Sequence, residues 1–267
     1  MAALAVLSAC GGGGGGGGAT EPTPVAIEVS GKGKDVKATI PDTVKGGLVE
    51  MNLNNSTDAP RDAQIVRIEG DHSPEELLKV IEGGGSIPDW LQDGGGVGST
   101  PPGKPGSAIQ NLAEGNYILV AAPEEEGEPA TAEFKVEGGE EGELPKTDAR
   151  IVASEYTFDV QGLKAGQNEV TFENSGQELH HALGFPIKPG KTLDDVKKAL
   201  SEEGEPSGPP PFDPQGIFGT AVIDGGISQV VNLDLKPGKY AVVCFIQDRK
   251  GGPPHVMKGM IKEVEVQ

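Results

Sequence analysis

Residues 240–260 read YAVVCFIQDRKGGPPHVMKGM and carry the strongest chemical pattern in the chain. The stretch opens with a nearly continuous apolar run up to Cys244, which predicts a strand that is buried on both faces. The glycines and prolines of residues 251–254 predict a loop, so the chain can turn and bring His255 and Met260 back beside the thiol. Thiol, imidazole and thioether are the soft and borderline donors that suit copper.

Length and charge narrow the class of protein. The chain has 267 residues, enough for one large or two ordinary domains. Its 22 basic and 41 acidic side chains give a net charge of −19. Such a charge disfavours binding to nucleic acid or to anionic lipid head groups. The sequence therefore predicts no nucleic-acid partner, and any charged protein partner is expected to be basic.

The N-terminal residues resemble the export signal of a bacterial lipoprotein. An apolar run that is too short to span a bilayer ends in LSAC, residues 7–10, which is similar to a lipobox. The eight glycines of residues 11–18 predict a flexible tether. We expect residues 1–23 to be a truncated lipoprotein signal and tether, with lipidation at Cys10. The resemblance implies an exported protein, lipid-anchored at the outer face of a bacterial membrane or in the periplasm, that touches membrane only through this anchor.

Beyond the tether the chain contains an internal duplication. Residues 43–85 align with residues 162–204 without a gap. A second block, residues 112–117, matches residues 235–240. Such a repeat indicates two copies of one structural unit.

Each copy predicts short strands separated by turns, together with one helix. Ser73 and Glu76 in the first copy, and Thr192 and Asp195 in the second, have the spacing of helix-capping boxes. Alternating and β-branched runs elsewhere predict strands. We therefore expect an all-β fold of two tandem antiparallel β-sandwiches, each with one short helical insertion. The expected boundaries are 24–137 for the first sandwich, 138–147 for an acidic linker and 148–267 for the second sandwich.

The repeat provides an internal control for the candidate ligands. In the alignment Cys244 falls on Ala121, His180 falls on Arg61 and His181 falls on Asp62. Residues needed only to pack the core should have survived in part in both copies. The restriction of these donors to the second copy therefore predicts a metal site there and none in the first.

Strand alternation separates the two adjacent histidines. His181 is in phase with the apolar residues that are expected to face the core, Leu183, Phe185 and Ile187. His180 has the opposite phase and is expected to face outward. The pattern thus favours His181 as the ligand and His180 as its neighbour.

These residues resemble the cupredoxins, the plastocyanin and azurin family of blue copper proteins. The resemblance covers roughly residues 150–267, and it is carried by residues 174–181, residues 237–244 and the HVMKGM run. It implies a Greek-key β-sandwich that holds one copper ion in the C-terminal domain, preceded by a degenerate, ligand-free copy of the same fold. The implied ligands are His181, Cys244, His255 and Met260, with His180 and Met257 as the alternatives. Two imidazoles and a thiolate in a trigonal plane, with a long axial thioether, form an electron-transfer copper site. The loop between the cysteine and the second histidine is longer than in small cupredoxins and resembles that of the copper nitrite reductases.

The residues favour electron transfer over catalysis. Four histidines are too few for a trinuclear copper cluster. Val243, not a histidine, precedes Cys244, where nitrite reductases have the residue that connects their two coppers. The expected function is that of a membrane-tethered, extracytoplasmic, copper-binding one-electron carrier, not an enzyme, with a redox partner protein that the acidic surface favours as basic. The alternative is a metal-free cupredoxin-like sandwich that serves as a cell-surface protein-binding or adhesion module.

Overall fold

Two β-sandwiches in tandem form the protein. The computed structural model describes residues 21–33, 35–122, 129–201 and 208–267. The strands of the first sandwich are β1 Thr23–Ser30, β2 Lys37–Thr39, β3 Thr43–Lys45, β4 Gly47–Asn55, β5 Arg61–Ile68, β6 Leu91–Thr100, β7 Pro105–Leu112, β8 Gly115–Ala121 and β9 Ala130–Glu137. The strands of the second sandwich are β10 Ala149–Ser154, β11 Thr157–Gln161, β12 Gly166–Asn174, β13 Leu183–Pro186, β14 Phe218–Gly219, β15 Ser228–Leu235, β16 Gly238–Val243 and β17 Ile261–Val266. The helices are α1 Pro74–Gly83 and α2 Leu193–Ser201, and short 3₁₀ segments cover Pro214–Gly216 and His255–Lys258.

Three sheets build the two sandwiches. An eight-stranded sheet with the order β11-β10-β12-β15-β7-β4-β1-β2 runs through both. Its β7-β4-β1-β2 half packs on the sheet β3-β9-β8-β5-β6, and its other half packs on the sheet β14-β13-β16-β17. The halves join where β15 pairs antiparallel with β7, with Val230 opposite Ile109. Because equivalent strands of the two copies occupy equivalent places, the prediction of two tandem β-sandwiches is confirmed.

Each sandwich carries one helix between equivalent strands, as the capping patterns predict. At the start of α1, the Ser73 hydroxyl accepts from the N–H of Glu76, and the Glu76 carboxylate accepts from the N–H of Ser73. Thr192 and Asp195 make the same two hydrogen bonds at the start of α2. These bonds satisfy backbone donors that a helix leaves free in its first turn.

Strand β16 is buried on both faces, as its apolar pattern predicts. Its alternate residue Val242 faces the interior between the two sheets, together with Cys244, which follows the strand. Val243 faces the opposite way, into a second apolar cluster that includes Phe185 of β13 and Val196 of α2. The helix therefore covers the outer face of the four-stranded sheet, so both faces of this sheet are apolar.

The expected lipidation site, Cys10, lies outside the described residues, and its modification stays a prediction. Within the described part of the chain, no helix combines the length and the apolar character needed to cross a membrane.

Candidate metal centre

Three donor atoms converge in the interior of the second sandwich. The side chains of His180, Cys244 and His255 are completely buried. The Cys244 sulfur lies 3.8 Å from Nδ1 of His180 and 3.6 Å from Nδ1 of His255, and the two nitrogens are 3.1 Å apart. A point equidistant from the three atoms lies roughly 2.0 Å from each. This distance matches a zinc–imidazole bond of about 2.0 Å and is somewhat shorter than a zinc–thiolate bond of about 2.3 Å. The three donor atoms are therefore close enough together to hold a single metal ion.

The structure brings His180, the alternative histidine, into the cluster and does not bring the expected ligand His181 there. His181 turns away from the cluster, and its Nε2 accepts a hydrogen bond of 3.0 Å from the backbone N–H of Phe245. Neither histidine belongs to a strand, because β13 begins only at Leu183. His180 is instead held by an isolated antiparallel bridge to Ile223.

The packing of α2 explains why strand alternation favours His181 although the structure brings His180 to the cluster. The large apolar residues in phase with His181, such as Phe185, face the helix on the outside of the sheet. The residues in phase with His180 are small, and Ala182 faces the interior between the sheets. Size and hydrophobicity thus indicate the helix-covered face, whereas His180 lies on the face lined by small residues.

Backbone hydrogen bonds fix Cys244, His255 and Met260 relative to one another. The N–H of Cys244 donates to the carbonyl of Met260 at 3.4 Å, and the N–H of Met260 donates to the carbonyl of His255 at 3.0 Å. Gly259 lies between them with φ 97°, a left-handed conformation that favours glycine. Met260 is completely buried, whereas the alternative thioether, Met257, is 53% exposed. The burial favours Met260 as the fourth ligand.

A polar network that the sequence analysis missed holds the second imidazole. Nε2 of His255 lies 3.0 Å from a carboxylate oxygen of Asp248, which also accepts from the Tyr156 hydroxyl at 3.0 Å. The Lys258 ammonium contacts the same carboxylate and donates to the tyrosine oxygen at 3.1 Å. A carboxylate on Nε2 places the proton there and leaves Nδ1 unprotonated toward the site. In the sequence, the only sign of this network is the position of Asp248 in the loop between Cys244 and His255. Tyr156 belongs to a distant part of the chain, so no local pattern connects it to the site.

The electrostatics of the cluster suit a bound cation. Burial lowers the pKa of His180 to about 4, and the charge of His255 adds to this effect. Burial also lowers the pKa of His255, against the opposing hydrogen bond to Asp248. Burial raises the pKa of the Cys244 thiol to about 11, although backbone hydrogen bonds act against the shift. At neutral pH both imidazoles are therefore neutral, and a metal ion must displace the thiol proton when it binds.

The equivalent place in the first sandwich has no such donors. Arg61 occupies the position of His180 and is buried, and Ala121 occupies the position of Cys244. A guanidinium is always protonated in proteins and has no lone pair to offer a metal. Within the described residues, the cluster of the second sandwich is the one group of three potential ligands close enough to hold an ion.

The fold and the site together define a class. The second sandwich has two sheets that are antiparallel except where β10 pairs in parallel with β12, and a buried His–His–Cys cluster lies in its interior. The first sandwich repeats the strand order of the second, and a buried cluster of two imidazoles and one thiol is the donor set expected from the resemblance to cupredoxins.

The chain is similar to several solved structures of other proteins. No family model and no curated protein matches the chain. Auracyanin B is 21% identical, with 47% of this chain and 92% of that chain covered and a TM-score of 0.30. A dithionite-reduced auracyanin from Roseiflexus castenholzii is 18% identical, with 44% and 94% covered and a TM-score of 0.28. A copper nitrite reductase from Nitrosomonas europaea is 12% identical, with 92% and 94% covered and a TM-score of 0.25.

Proposed function

We propose that the protein is an extracytoplasmic one-electron carrier that holds one copper ion in its second sandwich. His180, Cys244 and His255 would hold the ion, with the buried thioether of Met260 as the fourth donor. The convergence of two imidazole nitrogens and one sulfur within 3.8 Å of one another, in a buried site, carries the proposal. Bound copper supplies the exchange between cupric and cuprous states, and this donor set is typical of sites that transfer electrons.

The rigidity of the ligands supports a carrier. Cys244 and His255 are linked through the backbone, since Val256 N–H donates to the carbonyl of Cys244 at 2.7 Å and His255 N–H donates to that of Ile246 at 2.8 Å. The Asp248 carboxylate fixes the orientation of the second imidazole. Ligands held in this way move little when the charge of the ion changes, which keeps the cost of electron transfer low.

The histidine content supports a carrier over an oxidase or a nitrite reductase. The chain has four histidines, and His180 and His255 are used by the proposed site. His181 is engaged with the backbone of Phe245, and His72 stacks on Trp90 in the first sandwich. A second catalytic copper centre therefore lacks imidazoles to hold it.

The sequence supports the proposed location and the proposed charge of the partner. A lipid on Cys10 and the glycine tether of residues 11–18 would hold the sandwiches at the outer face of a bacterial membrane. The net charge of −19 favours a basic redox partner, because opposite charges steer encounter.

Copper spectroscopy on the full chain tests the proposal. Cupric ion is added to the wild type, to Cys244→Ala and to Met257→Ala, and the visible absorption and the reduction potential are measured. We expect one ion per chain, an intense thiolate-to-copper band and a reversible one-electron wave in the wild type. The band should be absent in Cys244→Ala and unchanged in Met257→Ala, whose exposed thioether serves as the matched control. A wild type without the band, with its thiol still titratable, would refute the carrier and favour a metal-free binding or adhesion module.

A further inference from the structure

The first sandwich contacts the second beside the first imidazole ligand. The side-chain amide of Gln64, on β5, donates to the carbonyl of Val222 at 2.9 Å and accepts from the N–H of the same residue at 2.8 Å. The next residue, Ile223, exchanges backbone hydrogen bonds of 3.1 and 2.9 Å with His180. A continuous series of hydrogen bonds therefore runs from β5 to the segment that carries the ligand.

Glycines in β6 allow this close approach. A Cβ on Gly94 would lie 2.6 Å from the carbonyl oxygen of Val222, and a Cβ on Gly98 would collide with the carbonyl of Gly219. Neither glycine has a positive φ. These positions thus require the absence of a side chain, so that two backbones can approach, and not the conformational freedom of glycine.

The first sandwich also contacts the ligand loop, residues 245–254, which connects the cysteine ligand to the second imidazole. The carbonyl of Arg249 in this loop accepts from the N–H of Ile87 at 2.6 Å. The guanidinium of the same arginine donates to the carbonyl of Leu91 at 3.2 Å and forms an ion pair with Asp224 of the second sandwich. The tip of the ligand loop is therefore fixed from both sandwiches.

We propose that the first sandwich, which has no metal ligands of its own, positions the copper ligands of the second. It holds the segment of His180 through Gln64 and the ligand loop through Ile87 and Leu91. Segments that are ordered in advance do not have to be ordered when the ion binds, so the ion binds more tightly and leaves more slowly. This inference rests on the proposed copper function and gives the ligand-free copy a role in it.

A matched pair of glutamine variants tests this role in the full chain. Gln64→Ala removes the two hydrogen bonds to Val222, whereas Gln92→Ala removes an amide that bonds to Asp89 within the first sandwich. Two quantities are measured: the rate of copper release to a chelator, and the hydrogen exchange of the His180 N–H in copper-free protein. For Gln64→Ala we expect release roughly tenfold faster, as for other residues that support metal ligands, with faster exchange at His180. Gln92→Ala should match the wild type in both.

A second variant, Gly98→Ala, separates positioning from a local effect of the glutamine. The added methyl group pushes β6 away from Gly219, so it should also speed copper release and exchange at His180 while circular dichroism shows native β-structure. Wild-type release and exchange in both Gln64→Ala and Gly98→Ala would overturn the inference. If the wild type binds no copper, the proposed function fails, and exchange at His180 then decides the positioning role alone: faster exchange supports it and unchanged exchange overturns it.

Discussion

Replacing the two adjacent histidines in turn tests the ligand assignment directly. His180 lies in the donor cluster, 3.8 Å from the Cys244 sulfur. His181 instead accepts a hydrogen bond from the backbone of Phe245. We expect His180→Ala to abolish the thiolate-to-copper band and His181→Ala to retain it.

The structure gives different magnitudes for the two variants. Loss of a group that merely supports a ligand weakens metal binding by about 10–100-fold, so loss of the ligand His180 itself should exceed roughly 100-fold. His181→Ala leaves the N–H of Phe245 without its acceptor. This hydrogen bond is partly buried, so the free energy of unfolding should fall by about 1–2 kcal/mol. The first variant should therefore lose copper, and the second should lose stability.

Two assays separate these effects. Copper affinity is measured by competition with a chelator, and the free energy of unfolding of copper-free protein is measured by urea denaturation. His72→Ala is a control for the removal of an imidazole, since His72 stacks on Trp90 at a distance from the site. The reasoning is refuted if His181→Ala loses the band while His180→Ala keeps it.

Three further predictions concern the carboxylate on His255, the buried thiol and the cap of α2. Asp248→Ala should weaken copper binding by about 10–100-fold in chelator competition, because Nε2 of His255 loses its carboxylate. Asp248→Asn should bind more tightly than Asp248→Ala. Equal affinities for the wild type and both variants would contradict this prediction. The alkylation rate of Cys244 in copper-free protein should keep rising with pH toward about 11, the raised pKa of the buried thiol, and a plateau near pH 9 would show an ordinary thiol. Thr192→Ala should lower the free energy of unfolding by about 1 kcal/mol, because α2 loses its N-cap. The copper spectrum should be unchanged. A variant that also loses the copper band would show that α2 orders the site.

Much of the fold can be predicted from local patterns. The duplication shows two equivalent units, and the capping boxes at Ser73 and Thr192 place both helices. The apolar run before Cys244 predicts a strand buried on both faces, which the structure confirms. The capping boxes and the apolar run are short in range, since each depends on residues within a few positions of one another, and the duplication is visible because the two copies align without a gap.

The choice between His180 and His181 depends on tertiary packing. Alternation shows that the two side chains diverge, but it does not show which face of the sheet lies between the sheets and which lies beneath α2. Both faces are apolar, and the larger residues happen to lie beneath the helix. A rule that assigns the most hydrophobic face to the core therefore selects His181, whereas the structure brings His180 to the cluster. The Tyr156 contact with Asp248 is equally long in range and leaves no local pattern.

The two copies of the unit divide one task between them. In the first copy, Arg61 and Ala121 stand where the second copy has His180 and Cys244, so the first copy lacks these donors of the proposed site. The same copy contains Gly94 and Gly98, whose lack of side chains is needed only because the second sandwich packs against them. The length of the ligand loop, residues 245–254, has a related explanation, since its tip reaches the first sandwich through the backbone and side chain of Arg249. Neither sandwich alone explains the two glycines or the length of the ligand loop. Both are explained if the first sandwich holds the proposed ligands of the second in place.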